Sequence, residues 1–311
     1  MKIFSRTIIL FIFVLSLISS RPIYPADMAG FNFLRTHVSA RASAMAGAFV
    51  AIPGDVHAIY FNPAGLATVN NRVASATYLN HVLDFQSGFV GYAQPFKNYC
   101  VMGVGINYMD YGTFDETDNN GEKYGTFGAS SFVISTAIGK EFFRGASAGI
   151  GFKYIRSEIE RYTAQAYAVD VGLFYAVPFT EDLNVALTVS NIGQSTSAFI
   201  ETKEDVPLKY AAGFSKKLAH LPLLLNVLVY KYVDFDFQFA LGGEFTLSPG
   251  LFLRLGYNSI GRDQRVEGDL DQVAGASVGF GYQWKQFSLD YSLSSMGEIG
   301  SLNRLTFSTT L

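Results

Sequence analysis

Ser301-Leu302-Asn303-Arg304-Leu305-Thr306-Phe307-Ser308-Thr309-Thr310-Leu311 closes the chain, and its reading decides the fold. Leu305, Phe307 and Leu311 fall on one face, with small or polar residues between them. That is a strand with a greasy side and a wet side. At the end of a soluble protein it would leave an open edge, a template for aggregation. A closed outer-membrane barrel removes the edge, because its last strand pairs with its first. The stretch therefore predicts a barrel-closing strand with Leu305, Phe307 and Leu311 toward lipid.

The same period of two runs upstream. Phe287, Leu289, Tyr291 and Leu293 oppose Gln286, Ser288, Asp290 and Ser292. Leu251, Leu253, Leu255 and Tyr257 oppose Arg254, Gly256 and Asn258. Phe235, Phe237, Phe239 and Leu241 oppose Asp236, Gln238, Gly242 and Glu244. Tyr167, Val169, Val171, Leu173 and Tyr175 oppose Ala168, Asp170 and Gly172. About fourteen such segments follow residue 72, each long enough to cross a bilayer when tilted. They are expected near 73–80, 85–94, 99–108, 126–140, 145–156, 163–177, 183–191, 207–217, 222–232, 236–247, 251–258, 272–284, 286–294 and 302–311. Tyr78, Tyr92, Tyr108, Tyr162, Tyr230, Tyr257, Tyr282 and Trp284 sit near segment ends, where interfacial girdles form. Long polar connections at Tyr108–Gly125, Ile192–Val206 and Ser259–Asp271 alternate with tight ones at Glu141–Arg144, Lys217–Leu221 and Ser248–Gly250. Long loops at one end and short turns at the other is the asymmetry of an outer-membrane barrel. It predicts 113–123 and 196–205 outside the cell and Leu311 at the periplasmic end.

Composition agrees. The chain is 49% hydrophobic but only 16% charged, against about 25% charged for an average soluble domain. Beyond residue 26 no apolar run is long enough for a spanning helix, so the apolarity is spread over alternate residues. A net charge of -3 and the lack of a basic stripe argue against a nucleic-acid partner. Cys100 is the single cysteine, which excludes an intrachain disulfide. Lys2 and Arg6, the apolar run Thr7–Ser20 and the small residue Ala26 before Asp27 read as a signal peptide over 1–26.

Residues 27–72 have no strand period. Ala40–Ala51 is rich in Ala, Ser and Gly, and Asp55–Leu66 reads as a short helix or turn. Small residues pack tightly, so this segment is expected inside the lumen as a plug, and 73–311 as the barrel. Gly103/Gly105, Gly149/Gly151 and Gly279/Gly281 would leave it room.

Arg41-Ala-Ser-Ala-Met-Ala-Gly-Ala-Phe-Val-Ala51 and Ala58-Ile-Tyr-Phe-Asn62-Pro63-Ala64-Gly65-Leu66-Ala67 resemble the N-terminal region of the PorV/PorQ family, outer-membrane proteins related to the FadL long-chain fatty acid transporters. Val169–Gly172, Ser190–Gly193, Val206–Tyr210, Gly243-Glu244, Leu253–Tyr257 and Leu289–Tyr291 extend the resemblance over nearly the whole mature chain. It implies a fourteen-stranded antiparallel barrel with an N-terminal hatch, inserted by barrel-assembly machinery among outer-membrane lipids. It implies two functions. One is a channel for hydrophobic or amphiphilic small molecules such as long-chain fatty acids. The alternative is a binding component of a type IX-type secretion system, with exported or secretion-system proteins as partners.

Asn62-Pro63-Ala64-Gly65 matches the Asn-Pro-Ala element of the FadL hatch, a gate by resemblance and a turn by residue chemistry. Lys153, Asp170, Lys209, Asp236, Glu244, Arg254 and Asp290 fall on the wet face. Buried charges need partners, so these are expected to pair and hold the plug, with Arg254 meeting Glu244, Asp290 or Asp170. Tyr111, Phe114, Phe199 and Ile200 are the apolar residues of long loops and the candidate ligand contacts. No cofactor or metal is implied. His37 and His57 lack metal-ligand spacing, and none of His37, His57, His81 and His220 is expected opposite a well-placed serine, so no enzyme is expected.

Overall fold

The computed structural model describes residues 31–82, 85–97, 99–118, 120–266 and 268–311. The signal-peptide expectation for 1–26, and 27–30 of the plug expectation, lie outside them.

Fourteen strands form one closed antiparallel barrel in sequence order. They are β1 Val73–Asn80, β2 Gln86–Phe96, β3 Cys100–Thr117, β4 Lys123–Phe143 and β5 Ala146–Ile159. There follow β6 Tyr162–Ala176, β7 Leu183–Ser197, β8 Lys209–Lys217, β9 Leu223–Tyr232 and β10 Gln238–Ser248. The last are β11 Leu251–Asn258, β12 Ala276–Trp284, β13 Phe287–Ser295 and β14 Ser301–Thr310. Each expected segment corresponds to one strand. The seam joins β1 to β14 from Val73↔Thr310 to Asn80↔Asn303. One residue beyond it, the Leu311 N–H donates to the Arg72 carbonyl at 2.8 Å.

Strand residues alternate between buried and exposed, and the exposed set is greasy. Met102, Val104, Ile106, Ile134, Ile138, Ile150, Phe152, Leu241, Leu255, Phe280, Leu305 and Phe307 all face outward. Between them Ser75, Asn107, Ser135, Asp170, Asn226, Ser292 and Thr306 are buried. An apolar exterior around a polar interior is the inverse of a soluble protein and belongs in a bilayer. Closure leaves no strand edge open to hydrocarbon. No helix among the described residues is long and apolar enough to cross a membrane, so the crossings are made by strands.

Two expectations need correction. The supposed long loop at 108–125 is mostly strand: β3 and β4 pair as far as Thr117↔Lys123 and project as a hairpin. Its polar composition reflects two solvated faces beyond the membrane, where alternation no longer has a greasy side. Similarly β7 runs to Ser197, within the loop expected from Ile192. Of the aromatics near segment ends, Tyr230 is one of the plain strand residues. It points inward, 5% exposed, and its hydroxyl donates to Asn258 Oδ1 at 2.8 Å.

Residues 31–72 contain only short helical turns: Asn32–Arg35, Ala40–Ala44, Ala58–Phe61 and Pro63–Thr68. Ala40–Ala44 packs on β11–β14, and Pro63–Thr68 packs on β3–β6. The segment thus contacts strands on both sides of the closed ring.

Candidate functional site: the barrel interior

Asn62 organises the inner segment. It caps the turn Pro63–Thr68, with Ala64 N–H donating to Asn62 Oδ1 at 3.1 Å and Pro63 at the first position. Proline suits that place because its missing N–H is one the turn leaves unpaired. The Asn62 amide then donates to the carbonyls of Val50 (2.9 Å) and Leu173 (3.3 Å), tying the segment to itself and to β6. The barrel meets this turn with glycines. A Cβ on Gly149 would lie 2.2 Å from the Pro63 carbonyl carbon, and one on Gly172 2.0 Å from Asn62 Oδ1. Gly139 touches the same turn, while Gly242, Gly256 and Gly279 admit Ala44–Ala46 on the opposite wall. Gly65 itself is buried with Ala64.

The inward charges form two paired groups and a remainder. Arg254 donates from Nε to Glu244 (2.6 Å) and from Nη1 to Asp290 (2.6 Å). Arg41 of the inner segment donates two bonds of 2.8 Å to Glu244 and reaches Asp55 at 3.2 Å. One carboxylate thus bridges segment and wall. In β5 and β6, Lys153 pairs with Asp170 at 2.7 Å and donates to Asn191 Oδ1 at 2.8 Å. Asn191 sits in β7 at φ 63, accepting this bond while its own N–H donates to Asp170 at 2.7 Å. Asp236 is not part of either group. It is exposed in the connection before β10, because the alternation begins only at Gln238. Two residues earlier, Asp234 is the acid that pairs, with Arg35 of the inner segment. Phe235 turns inward with it, against the lumen cluster around Tyr232.

Lys209 and Arg304 differ from the rest. Among the described residues neither has a carboxylate within salt-bridge distance. Lys209 Nζ lies 4.7 Å from the Tyr230 ring centre and 5.4 Å from that of Tyr232. Arg304, 3% exposed, donates to the His37 carbonyl (3.1 Å), Ser43 Oγ (2.7 Å) and Ser294 Oγ (3.4 Å). Cation–π contact supplies about 0.5–2 kcal/mol, less than the several kcal/mol that desolvating an ammonium costs. Both cations line a cavity of about 300 Å³ that also touches His37, Tyr230, Tyr232 and Phe235. Burial, with Arg304 and Lys209 nearby, pushes the His37 imidazole down to about 3, so it is neutral at pH 7 and adds no third charge.

His57 is a satisfied histidine of the N-terminal segment, and a serine of the wall lies beside it. Its Nδ1 lies 2.7 Å from Asp55 Oδ1 and its Nε2 3.2 Å from Ser75 Oγ on β1. Sequence distance hid this, because the serine belongs to the wall and the histidine to the inner segment. Burial would raise the Asp55 carboxyl, but His57 and Arg41 outweigh it and hold the group well below the usual carboxylate range. The arrangement resembles a hydrolytic triad without being open to a substrate: His57 and Ser75 are both buried. Ser75 also donates to the Phe307 carbonyl (3.3 Å) and accepts from Ser308 (3.0 Å). It pins the segment to the barrel seam.

The loop candidates separate. Tyr111 and Phe199 pack over Phe31, Phe33 and Leu34 in one cluster with Met109, Val133 and Ile155. Phe114 stands in the projecting hairpin, stacked on Phe127 at 5.5 Å and edge-on to Phe85 at 6.3 Å. Ile200 is 76% exposed and touches no such cluster. A second recess, about 480 Å³ and lined by Phe96, Met102, Ile138, Ile150 and Phe152, opens on the lipid face and not into the lumen.

No family model and no curated protein sequence matches this chain. Solved structures do, and they show a fold similar to that of FadL-type outer-membrane barrels. A Pseudomonas aeruginosa FadL homologue is similar with a TM-score of 0.59 at 11% identity, covering 88% of this chain and 98% of that one. The monoaromatic hydrocarbon channel CymD gives 0.60 at 10% identity, covering 88% and 97%. The Pseudomonas putida toluene transporter TodX gives 0.55 at 11% identity, covering 91% and 98%. Such low identity shows the fold alone. With the lipid-facing belt, that fold locates the protein in the bacterial outer membrane.

Proposed function

We propose that this protein is an outer-membrane channel for hydrophobic or amphiphilic small molecules, with residues 31–72 as its hatch. Long-chain fatty acids are the class the sequence resemblance implies. The observation that carries the reading is the amphiphilic lumen cavity between the N-terminal segment and the wall, bounded by Tyr230, Tyr232, Lys209 and Arg304. Its aromatic walls suit an apolar body, and its few convergent polar groups suit orientation of a ligand. The segment packs against strands on both sides of the ring, and in this reading passage requires it to shift. Asn62-Pro63-Ala64-Gly65 is the proposed pivot, held by hydrogen bonds and glycine contacts with no covalent tie to the wall. The FadL-type neighbours support this reading at the level of fold.

Passage can be measured with purified protein in proteoliposomes, following entry of a fluorescent fatty acid and of toluene. A disulfide between cysteines placed at Ser43 and Ser294, whose hydroxyl oxygens lie 2.8 Å apart, should abolish entry, and reduction should restore it. Equal entry with the bridge closed would remove the hatch from the mechanism. Absence of entry for every apolar probe, with recovery of exported or secretion components on the purified barrel, would replace the channel by a docking role.

A further inference from the structure

We propose that the cavity beside Lys209 and Arg304 takes compact aromatic carboxylic acids, of the size of benzoate or phenylacetate. The proposal rests on the channel reading above and narrows its substrate class. Two features of the wall carry it. The first is charge. Elsewhere in the lumen each inward cation meets acid: Lys153 meets Asp170, Arg254 meets Glu244 and Asp290, and Arg41 meets Glu244 and Asp55. Lys209 and Arg304 face a cavity instead, and among the described residues no carboxylate pairs with them. Asp170, whose charge reaches Lys209, is already held by Lys153. Arg304 spends Nε and Nη1 on His37, Ser43 and Ser294, which leaves Nη2 for a guest oxygen. Beside the Lys209 ammonium stand the rings of Tyr230 and Tyr232. A monoanion in the cavity supplies the kind of partner that these cations lack.

The second feature is shape. Tyr230 and Tyr232 stand edge to face at 5.9 Å, and Phe235 joins them on the cavity wall. Aromatic guests favour offset and edge contacts with such rings. The cavity holds about 300 Å³, at the lower end of ligand pockets. A long acyl chain needs an elongated cleft, whereas one ring with a carboxylate fits a compact one. A neutral hydrocarbon would leave both cations unmatched.

The test uses the full chain in lipid nanodiscs and equilibrium dialysis at pH 7 with labelled benzoate, benzamide and palmitate, beside proteoliposome entry of toluene. Benzoate should bind saturably, and benzamide at least about tenfold more weakly, since it lacks the charge. Lys209→Met should weaken benzoate by about tenfold or more, and Lys209→Arg should restore most of it. Heat-modifiable migration of each variant checks that the barrel has formed. Arg304→Gln is the second variant, read by the same dialysis. Palmitate binding that depends on Lys209 while benzoate does not bind would overturn the compact-acid claim and leave the channel standing. Benzoate and benzamide binding alike would overturn the role of the cations. Toluene entry without acid binding would sink this inference alone. Neither binding nor entry of any probe would sink the channel reading with it.

Discussion

The lumen has two unlike halves. Along β3–β6 the inner segment presses on bare backbone: Gly139, Gly149 and Gly172 have no room for a side chain, and Lys153 and Asp170 satisfy each other. Beside Lys209 of β8, Tyr230 and Tyr232 of β9 and Arg304 of β14 a cavity remains, with aromatic sides and two cations that have no acid partner among the described residues, although Gly242, Gly256 and Gly279 of β10–β12 press on Ala44–Ala46 as closely as the first wall does. Both halves come from the same inward register of the same barrel. What separates them is the aromatic lining and the lack, among the described residues, of an acid paired with Lys209 or Arg304. A tight, neutralised region is built to hold something fixed, and a roomier, cationic one is built to exchange its contents.

If the tight and paired regions hold the segment, breaking them should cost most. Arg254→Ala leaves Glu244 and Asp290 buried beside each other with only Arg41 in reach. Losing one partner of a buried pair costs about 3–5 kcal/mol, so this variant should assemble poorly and lose its heat-modifiable band at a lower temperature. Normal thermal migration of Arg254→Ala would show the network to be ornamental. Gly149→Val forces carbon into the Pro63 carbonyl. Overpacking costs about 1–3 kcal/mol, and the barrel should persist while the segment becomes sensitive to protease and ions leak. Protection equal to wild type would mean the two surfaces are not in contact. Asn62→Ala removes one cap and two tethers, with a loss of about 1 kcal/mol for the cap. Its leak should exceed wild type and fall short of Gly149→Val.

Acidity should loosen the segment without touching the wall. His37 is pushed down to about 3 by burial and by Arg304 and Lys209, so its neutral form is the docked one. The unfolded imidazole titrates near 6.5, so docking is strongest above about pH 6.5 and weakens as pH falls toward 3. Asp55, also depressed, gives stability that is present above about pH 4 and lost only in strong acid. Protease cleavage within residues 31–72 should therefore rise between pH 7 and pH 4, and His37→Asn should flatten that rise. The smallest effect is expected from Ile200→Ser: an exposed residue outside both halves should leave binding and leak unchanged.

The barrel was legible because alternation writes each strand into consecutive residues. The closing strand could be read from Leu305 and Phe307 with no knowledge of its partner. Strand ends were less legible where the membrane stops. In β3 and β4 the hairpin beyond Asp110 keeps pairing after the greasy face is gone, so its polar residues imitate a loop. Of the lumen charges on strands, Arg254 meets two of the three acids expected of it and Lys153 meets Asp170, whereas Lys209 has no acid partner among the described residues. Asp236 was misread because the period was extended two residues too far, across a turn. The Asp55–His57–Ser75 chain and the cavity could not be read at all. Each depends on how an irregular segment lies against a wall, and no period encodes that.

The seam carries one more consequence, for the order of events in assembly. Thr77 and Thr306 touch across a separation of 229 residues. Loop-closure entropy rises only logarithmically, by about 0.6 kcal/mol per doubling, so the final pairing is cheap to hold and slow to find. Until it forms, the chain is an open sheet whose interior face lies bare. Residues 31–72, joined to the first strand at that seam, are already beside the face when the gap remains. The barrel can therefore close around its own contents, and a chain that closed first would have to thread them in through one end.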